Sequence, residues 1–263
     1  MPLVDSALGG ANAWQEATIE SITQQTPTVR SIVLRLRTSR HFLPGQHIDV
    51  RLSAPDGYQA RRSYSLTSAP TLTSTFEIAV ELLQNGEVSS WFHDVAQVGD
   101  TIDVSGPFAT HFVWRAAPDQ PVLLIGGGSG VAPFISMVRH RALVADAPAM
   151  TMLYSARSWA DVIYRRELLI EEQAQRGLRV AFALTRDASS SIALPSDGAP
   201  RVADYDRRID ERVVAAELAR FEGAPTASFI CGSNRFVSHV ADLLVGTGIV
   251  PSSIKTERYG GAV

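Results

Sequence analysis

Between residues 17 and 113 the chain runs in short segments in which apolar and polar positions alternate, broken by turn residues. A period of two puts every second side chain on the same face of a strand, so this region is expected to form an antiparallel barrel or sandwich. The segments fall at 18–23, 29–36, 46–52, 63–66, 76–82 and 101–104. In Ile32-Val33-Leu34-Arg35-Leu36-Arg37 the alternation assigns Ile32, Leu34 and Leu36 to one face. Leu43-Pro44-Gly45, Pro55-Asp56-Gly57 and Gln84-Asn85-Gly86 mark turns, because glycine and proline supply the dihedral angles that reversals need. One helix is expected, over 88–95.

Arg115-Ala116-Ala117-Pro118-Asp119-Gln120 is polar and contains proline, and the rhythm changes after it. We place the domain boundary there, giving domains 1–116 and 117–263. Strand and helix then alternate: strand 122–125 and helix 132–143, strand 150–154 and helix 162–175, strand 178–184 and helix 211–219. Strand 228–231, helix 235–245 and strand 254–258 close the series. Such alternation predicts an α/β domain with a doubly wound parallel sheet. No internal repeat is present, and the one low-complexity stretch is 188–203.

Composition narrows the function classes. Hydrophobic residues make up 45% and charged residues 19% of the 263, as in water-soluble globular proteins, and no apolar run approaches the length of a membrane span. The start, Met1-Pro2-Leu3-Val4-Asp5, and the small-residue stretch 7–13 lack the features of a secretory signal, so a cytoplasmic location is expected. A net charge of −3 gives no basic face for nucleic acid. The single cysteine, Cys231, can form no internal disulfide and cannot supply the four thiolates of an iron–sulfur cluster. Any such centre working with this chain is expected on another molecule.

Val122-Leu123-Leu124-Ile125 leads directly into Gly126-Gly127-Gly128-Ser129-Gly130-Val131-Ala132-Pro133 and then a helix. Glycines between a strand and a helix let backbone approach a phosphate, while the helix N-terminus offers N–H donors. The strict dinucleotide spacing is not met, since Ala132-Pro133 stands where the third glycine belongs. A nucleophile elbow fails because Val131 sits two residues after Ser129, and a triphosphatase loop fails for want of lysine. A plain tight turn and a methyltransferase loop stay open on this motif alone, although the strand-rich first half argues against the latter.

Arg62-Ser63-Tyr64-Ser65 reads equally as a solvated strand around one buried tyrosine or as a flavin platform. The second reading uses Tyr64 as the aromatic face, Ser65 as the polar group near the reactive nitrogen and Arg62 for phosphate. Gly86-Glu87-Val88-Ser89-Ser90 likewise reads as a capped helix start or as a second phosphate site.

Taken together, Arg62-x-Tyr64-Ser65, Gly86-x-Val88-Ser89, the glycine loop, Cys231-Gly232-Ser233 and Glu257-Arg258-Tyr259 resemble the ferredoxin–NADP reductase superfamily, in its order and over nearly the whole chain. The flavin reductases that feed bacterial multicomponent oxygenases are the most similar in pattern. The resemblance implies a Greek-key antiparallel barrel binding FAD and a doubly wound domain binding the nicotinamide nucleotide. It implies hydride transfer to the flavin, followed by release of single electrons to a ferredoxin or another iron–sulfur or haem protein acting in trans.

Carried over by position, Ser65, Cys231, Glu257 and Tyr259 are the catalytic candidates. Arg62, Ser63, Tyr64, the backbone around Ala79 and Val80, and the turn Gly86, Val88, Ser89 would hold the flavin. Relatives carry basic residues near Glu81, and plant-type relatives end at the tyrosine that Gly260-Gly261-Ala262-Val263 follows here. Gly128, Ser129, Gly130, Val131, Ala132, Pro133 and Gly232 would meet the nicotinamide nucleotide. Ser155 and Arg157 after the second parallel strand, with Arg186 and Arg208 beyond, favour NADPH over NADH, since arginine pairs with a ribose phosphate. FAD is favoured over FMN because the turn at Gly86 offers room for a diphosphate, and FMN-using relatives tend to carry asparagine where Ser68 stands. A free-flavin, ferric or quinone reductase, or a nucleotide-binding sensor without turnover, are the alternatives.

Overall fold

The computed structural model describes residues 13–71, 73–108, 110–186, 191–192 and 200–259. Most of the N-terminal small-residue stretch, most of the low-complexity loop and the terminal Gly260-Gly261-Ala262-Val263 lie outside the described residues.

Six strands build the first half: β1 (Gln15–Thr26), β2 (Val29–Arg40), β3 (His47–Ser53), β4 (Gln59–Ser65), β5 (Thr73–Glu81) and β6 (Thr101–Phe108). They lie in the order β4-β3-β6-β1-β2-β5 and pair antiparallel. A bridge between Leu66 and Ile78 joins the two outer strands just past the end of β4, closing the sheet into a barrel. The alternation in β2 is what fills it: Ile32, Leu34 and Leu36 are buried with Ile19, Ile48, Val50, Phe76, Ile78 and Val80. The helix α1 (Glu87–Asp94) plugs one end with Val88 and Phe92.

The second half is a five-stranded parallel sheet in the order β11-β10-β7-β8-β9, with β7 (Val122–Gly127), β8 (Met150–Ala156), β9 (Leu178–Leu184), β10 (Ala227–Ser233) and β11 (Ile254–Tyr259). β7 is apolar on both faces because both are covered. Val122 and Leu124 pack with α2 (Ala132–Arg141) and α3 (Arg165–Ala174), whereas Leu123 and Ile125 pack with α4 (Glu211–Leu218) and α5 (Asn234–Gly246). The chain leaves β7 first toward β8 and later returns on the other side to β10. Strand order therefore reverses between β7 and β10, the crevice where ligands of open α/β sheets bind. The segment after β6 packs on this second unit, with Phe112 stacked on Phe134 and edge-on to Phe229.

Candidate active site at the domain seam

Four side chains distant in sequence meet where β4 of the barrel faces the carboxyl ends of β10 and β11. Cys231 and Glu257 are register partners in the parallel sheet, as are Ser233 and Tyr259. Ser65, the last residue of β4, is buried, and its Oγ donates to Glu257 Oε1 at 3.0 Å and lies 2.5 Å from the Tyr259 hydroxyl. All four catalytic candidates thus form one cluster. Burial pushes Glu257 above the usual carboxylate range, with the Ser65 hydrogen bond and the nearby His47 acting against it. Burial, reinforced by the Glu257 charge, raises the Cys231 thiol well above its ordinary value, so it is a neutral thiol and not a thiolate nucleophile. The Tyr259 phenol is raised by burial and by the same neighbours.

The rest of the first motif divides by role. Tyr64 packs its ring edge-on to Phe92 at 6.1 Å between centroids, and burial raises its phenol. The Ser63 hydroxyl donates to the buried Asp49, which also pairs with Arg61. Ser63 therefore braces the strand. Arg62 is exposed, and its guanidinium donates to the Arg61 carbonyl at 2.8 Å. That guanidinium lines an open groove with His47, Asp49, Arg61, Ser63 and Phe108.

At the Gly86 turn the two readings prove compatible. Ser89 Oγ donates to the Gly86 carbonyl at 3.0 Å and accepts from the Leu83 N–H at 3.2 Å, so the hydroxyl is a structural staple. A Cβ at Gly86 would fall 2.4 Å from that oxygen. No side chain caps α1, which leaves its first-turn N–H groups open to an external acceptor. Val88 is buried in the barrel core, and so is the Val80 side chain, whose carbonyl contacts His93 Nε2 at 3.0 Å. Ala79 lies on the opposite face of β5, against the core of the second domain.

The glycine loop divides as well. Gly127, Gly128 and Ser129 line a cleft of about 650 Å³ with Ser155, Arg157 and Arg208. Gly128 has φ 58°, a left-handed conformation natural to glycine, and a Cβ there would meet nothing within 4 Å. Gly130 is needed for a different reason: its Cβ would fall 2.6 Å from the Cys231 carbonyl oxygen and 2.7 Å from Gly232 Cα. This close approach locks the loop to the strand that carries Cys231. Val131, Ala132 and Pro133 turn inward and are buried. Arg186 is exposed and joins the Arg157 carbonyl through its backbone N–H at 2.8 Å, but it does not line the cleft. Arg207 pairs with Asp206 and Asp210.

The structure adds residues that the sequence reading did not single out. Arg235, Phe236, Thr185 and Asp161 line the same cleft, Asp161 held by the Ser158 hydroxyl at 2.6 Å. On the barrel side, Glu81 accepts from Ser129 Oγ at 2.6 Å. Farther along β5, Glu77 and the Thr67 carbonyl accept from Arg139 of α2, while Tyr164 donates to Glu77 at 2.8 Å. The signal for this seam was present in the strand itself. Phe76, Ile78 and Val80 are apolar, whereas Glu77 and Glu81 flank a small Ala79 on the other face, an arrangement suited to a second domain. Among the described residues no cluster of metal-ligating side chains occurs, and no helix is long and apolar enough to cross a membrane.

Comparison with known proteins agrees with this architecture. Residues 16–113 match the oxidoreductase FAD-binding domain family and residues 124–242 the oxidoreductase NAD-binding domain family. Ferredoxin–NADP reductase B of Sorangium cellulosum is 30% identical over 250 residues, covering 93% of this chain and 97% of that protein. The phenol hydroxylase P5 protein of Acinetobacter pittii is 26% identical over 93% of this chain, which spans 65% of its length. The glycine betaine monooxygenase reductase subunit of Pseudomonas aeruginosa is 31% identical over 83% of this chain, which spans 56% of that relative. Among solved structures, a ferredoxin–NADP+ reductase from Neisseria gonorrhoeae with bound FAD and NADP superposes with a TM-score of 0.75 at 22% identity, covering 93% of this chain and 98% of that one. With both domain families matched in order and a full-length relative at 30% identity, the chain belongs to the ferredoxin–NADP reductase superfamily of flavin- and nicotinamide-dependent oxidoreductases.

Proposed function

We propose that the chain takes hydride from a nicotinamide nucleotide, preferentially NADPH, onto bound FAD and passes electrons singly to a separate carrier protein such as a ferredoxin or the iron–sulfur partner of an oxygenase. The observation that carries this reading is the Ser65–Glu257–Tyr259–Cys231 cluster. It brings the end of the barrel platform against the strand ends that border the glycine-loop cleft.

The residues present suit both groups. Arg62 and the uncapped start of α1 offer donors for a diphosphate, and Tyr64 and Ser65 offer a ring contact and a hydrogen bond. Gly127, Gly128 and Ser129 offer close backbone approach for the second nucleotide. When bound, the flavin supplies a hydride-accepting nitrogen and the ability to pass on two electrons one at a time. The chain supplies geometry and protons. Ser65 Oγ fixes a hydrogen bond at the platform edge, and Glu257, held toward its protonated form, keeps a proton one hydrogen bond away. The neutral Cys231 thiol leaves a compact, uncharged wall between cleft and platform. Tyr259, bonded to Ser65, would cover the platform until a nicotinamide ring displaced it.

The preference for NADPH rests on Arg157, Arg208 and Arg235 in the cleft; the carboxylate there after β8, Asp161, is engaged by Ser158. We assign the domains to 1–116 and 117–263, and the cell compartment to the cytoplasm. Parallel anaerobic titration of the yellow protein with NADPH and NADH tests flavin, donor and reaction together. We expect bleaching by both, with NADPH effective at the lower concentration. A colourless protein, or a flavin bleached by neither, would sink the reading.

A further inference from the structure

The cleft that must accept a dinucleotide carries a carboxylate at an unexpected place. Its nucleotide-domain wall is Gly127 to Ser129, Arg157, Arg208 and Arg235, and its barrel wall is Thr26, Thr28, Val29 and Glu81. Glu81 ends β5, is paired to Val29 of β2, and is anchored by the following backbone bond from Leu82 N–H to the Thr28 carbonyl at 2.8 Å. Its position is thus set by the sheet and not by a loose loop. Its carboxylate takes the Ser129 hydroxyl at 2.6 Å across the seam. Ser129 belongs to the tight turn Gly128–Val131 that leads into α2, where strand-to-helix geometry offers donors to an anion. One donor at the mouth of the loop, the Ser129 hydroxyl, is therefore occupied by an anion of the protein's own.

We propose, resting on the assignment of this cleft to the pyridine nucleotide, that Glu81 is a built-in anionic competitor which sets nucleotide affinity. Three consequences follow from its charge and place. A diphosphate seated on the loop must displace the carboxylate from Ser129 and remain near it, so repulsion weakens binding. The three cleft arginines lie on the other wall, and none of them forms an ion pair with Glu81 among the described residues. Because Glu81 and Ser129 belong to different domains, nucleotide arrival also breaks a cross-domain bond, and product departure restores it. The device trades affinity for release.

The test is the dissociation constant of the FAD-loaded protein for NADP+ and NAD+, by titration calorimetry at low and high ionic strength. Glu81→Gln keeps an acceptor for Ser129 and removes only the charge. We expect it to tighten binding about tenfold at low salt, with the gain shrinking to under about threefold near 1 M, where charges are screened within about 3 Å. Ser129→Ala removes the hydrogen bond and keeps the charge, and we expect no tightening. Unchanged or weaker binding by the glutamine variant overturns the proposal, as does tightening in Ser129→Ala equal to that in Glu81→Gln. If neither wild type nor variants bind either nucleotide, it is the assignment of the cleft that fails. Absorbance of the retained flavin checks folding in every sample.

Discussion

At the scale of single residues, the candidate site holds groups that folding would prefer neutral. Glu257 is the clearest case, because burial raises its carboxyl above the unfolded value of 4.5 while the proposed function uses it beside Ser65. Below that unfolded value both states are protonated, and the group's contribution to stability is fully present. As pH rises through the higher folded value the native carboxyl must ionise in its buried position, and that contribution is lost. Glu257→Gln avoids the ionisation and can still accept from Ser65. We therefore expect the variant to melt above wild type at pH 7, at a few degrees per kcal/mol for a chain of this size, with the gap closing as pH falls below 4.5. Flavin reduction by NADPH should meanwhile slow about a hundredfold, the lower end of what a positioned proton donor contributes. Differential scanning calorimetry across pH and anaerobic stopped-flow measure the two effects. Equal melting temperatures at neutral pH would show that the carboxyl carries no burial penalty.

At the scale of elements, β5 joins the two halves. One face, with Phe76, Ile78 and Val80, fills the barrel; the other, with Glu77, Ala79 and Glu81, meets α2, the second core and the glycine loop. Arg139 is the strongest tie. It donates to Thr67, two residues beyond Ser65, as well as to Glu77 and Glu167, and its side chain is only 20% exposed. Arg139→Met should destabilise by about 2–3 kcal/mol, somewhat less than a fully buried pair. In that background Glu77→Gln should cost under about 0.5 kcal/mol more, the mark of a shared interaction in a double-mutant cycle read by urea unfolding. Additive losses would contradict the coupling. The same elements show what the sequence revealed and what it hid. The periodicity of β2 and the apolar run of β7 were plain because their faces are uniformly covered. β4 begins at Gln59, earlier than its apolar signal at 63–66, because Gln59, Arg61 and Arg62 are exposed and polar and its partner β3 supplies the pairing. Helix α3 begins at Arg165 and not at 162 because Tyr164 takes a left-handed conformation, φ 51°, after the turn Trp159–Asp161. No glycine or proline announced that late start.

At the scale of the whole molecule, the site exists only when the domains meet. Ser65 and Tyr259 touch across 194 residues of sequence, and spacing carries no metric for such a contact. Only the ordered motifs and their family resemblance linked these positions beforehand. In the function proposed above electrons arrive in pairs at the seam, yet the sequence contains one cysteine and the described residues hold no metal cluster. On that proposal a carrier protein would collect the electrons by encounter at the platform edge. The open groove beside it sets Arg61, Arg62 and His47 against the single carboxylate of Asp49, which pairs with Arg61, and so keeps a net positive margin. An encounter guided by such charges accelerates at low ionic strength and slows as salt screens it. The FAD-loaded protein with NADPH should therefore reduce cytochrome c slowly alone and at least about tenfold faster when an acidic two-iron ferredoxin is added, with the gain falling between 0.01 and 0.5 M salt, over which the screening length drops from about 30 Å to under about 10 Å. Equal rates with and without the ferredoxin would instead favour a reductase of free flavin, ferric ion or quinone, in which the same seam serves small acceptors directly.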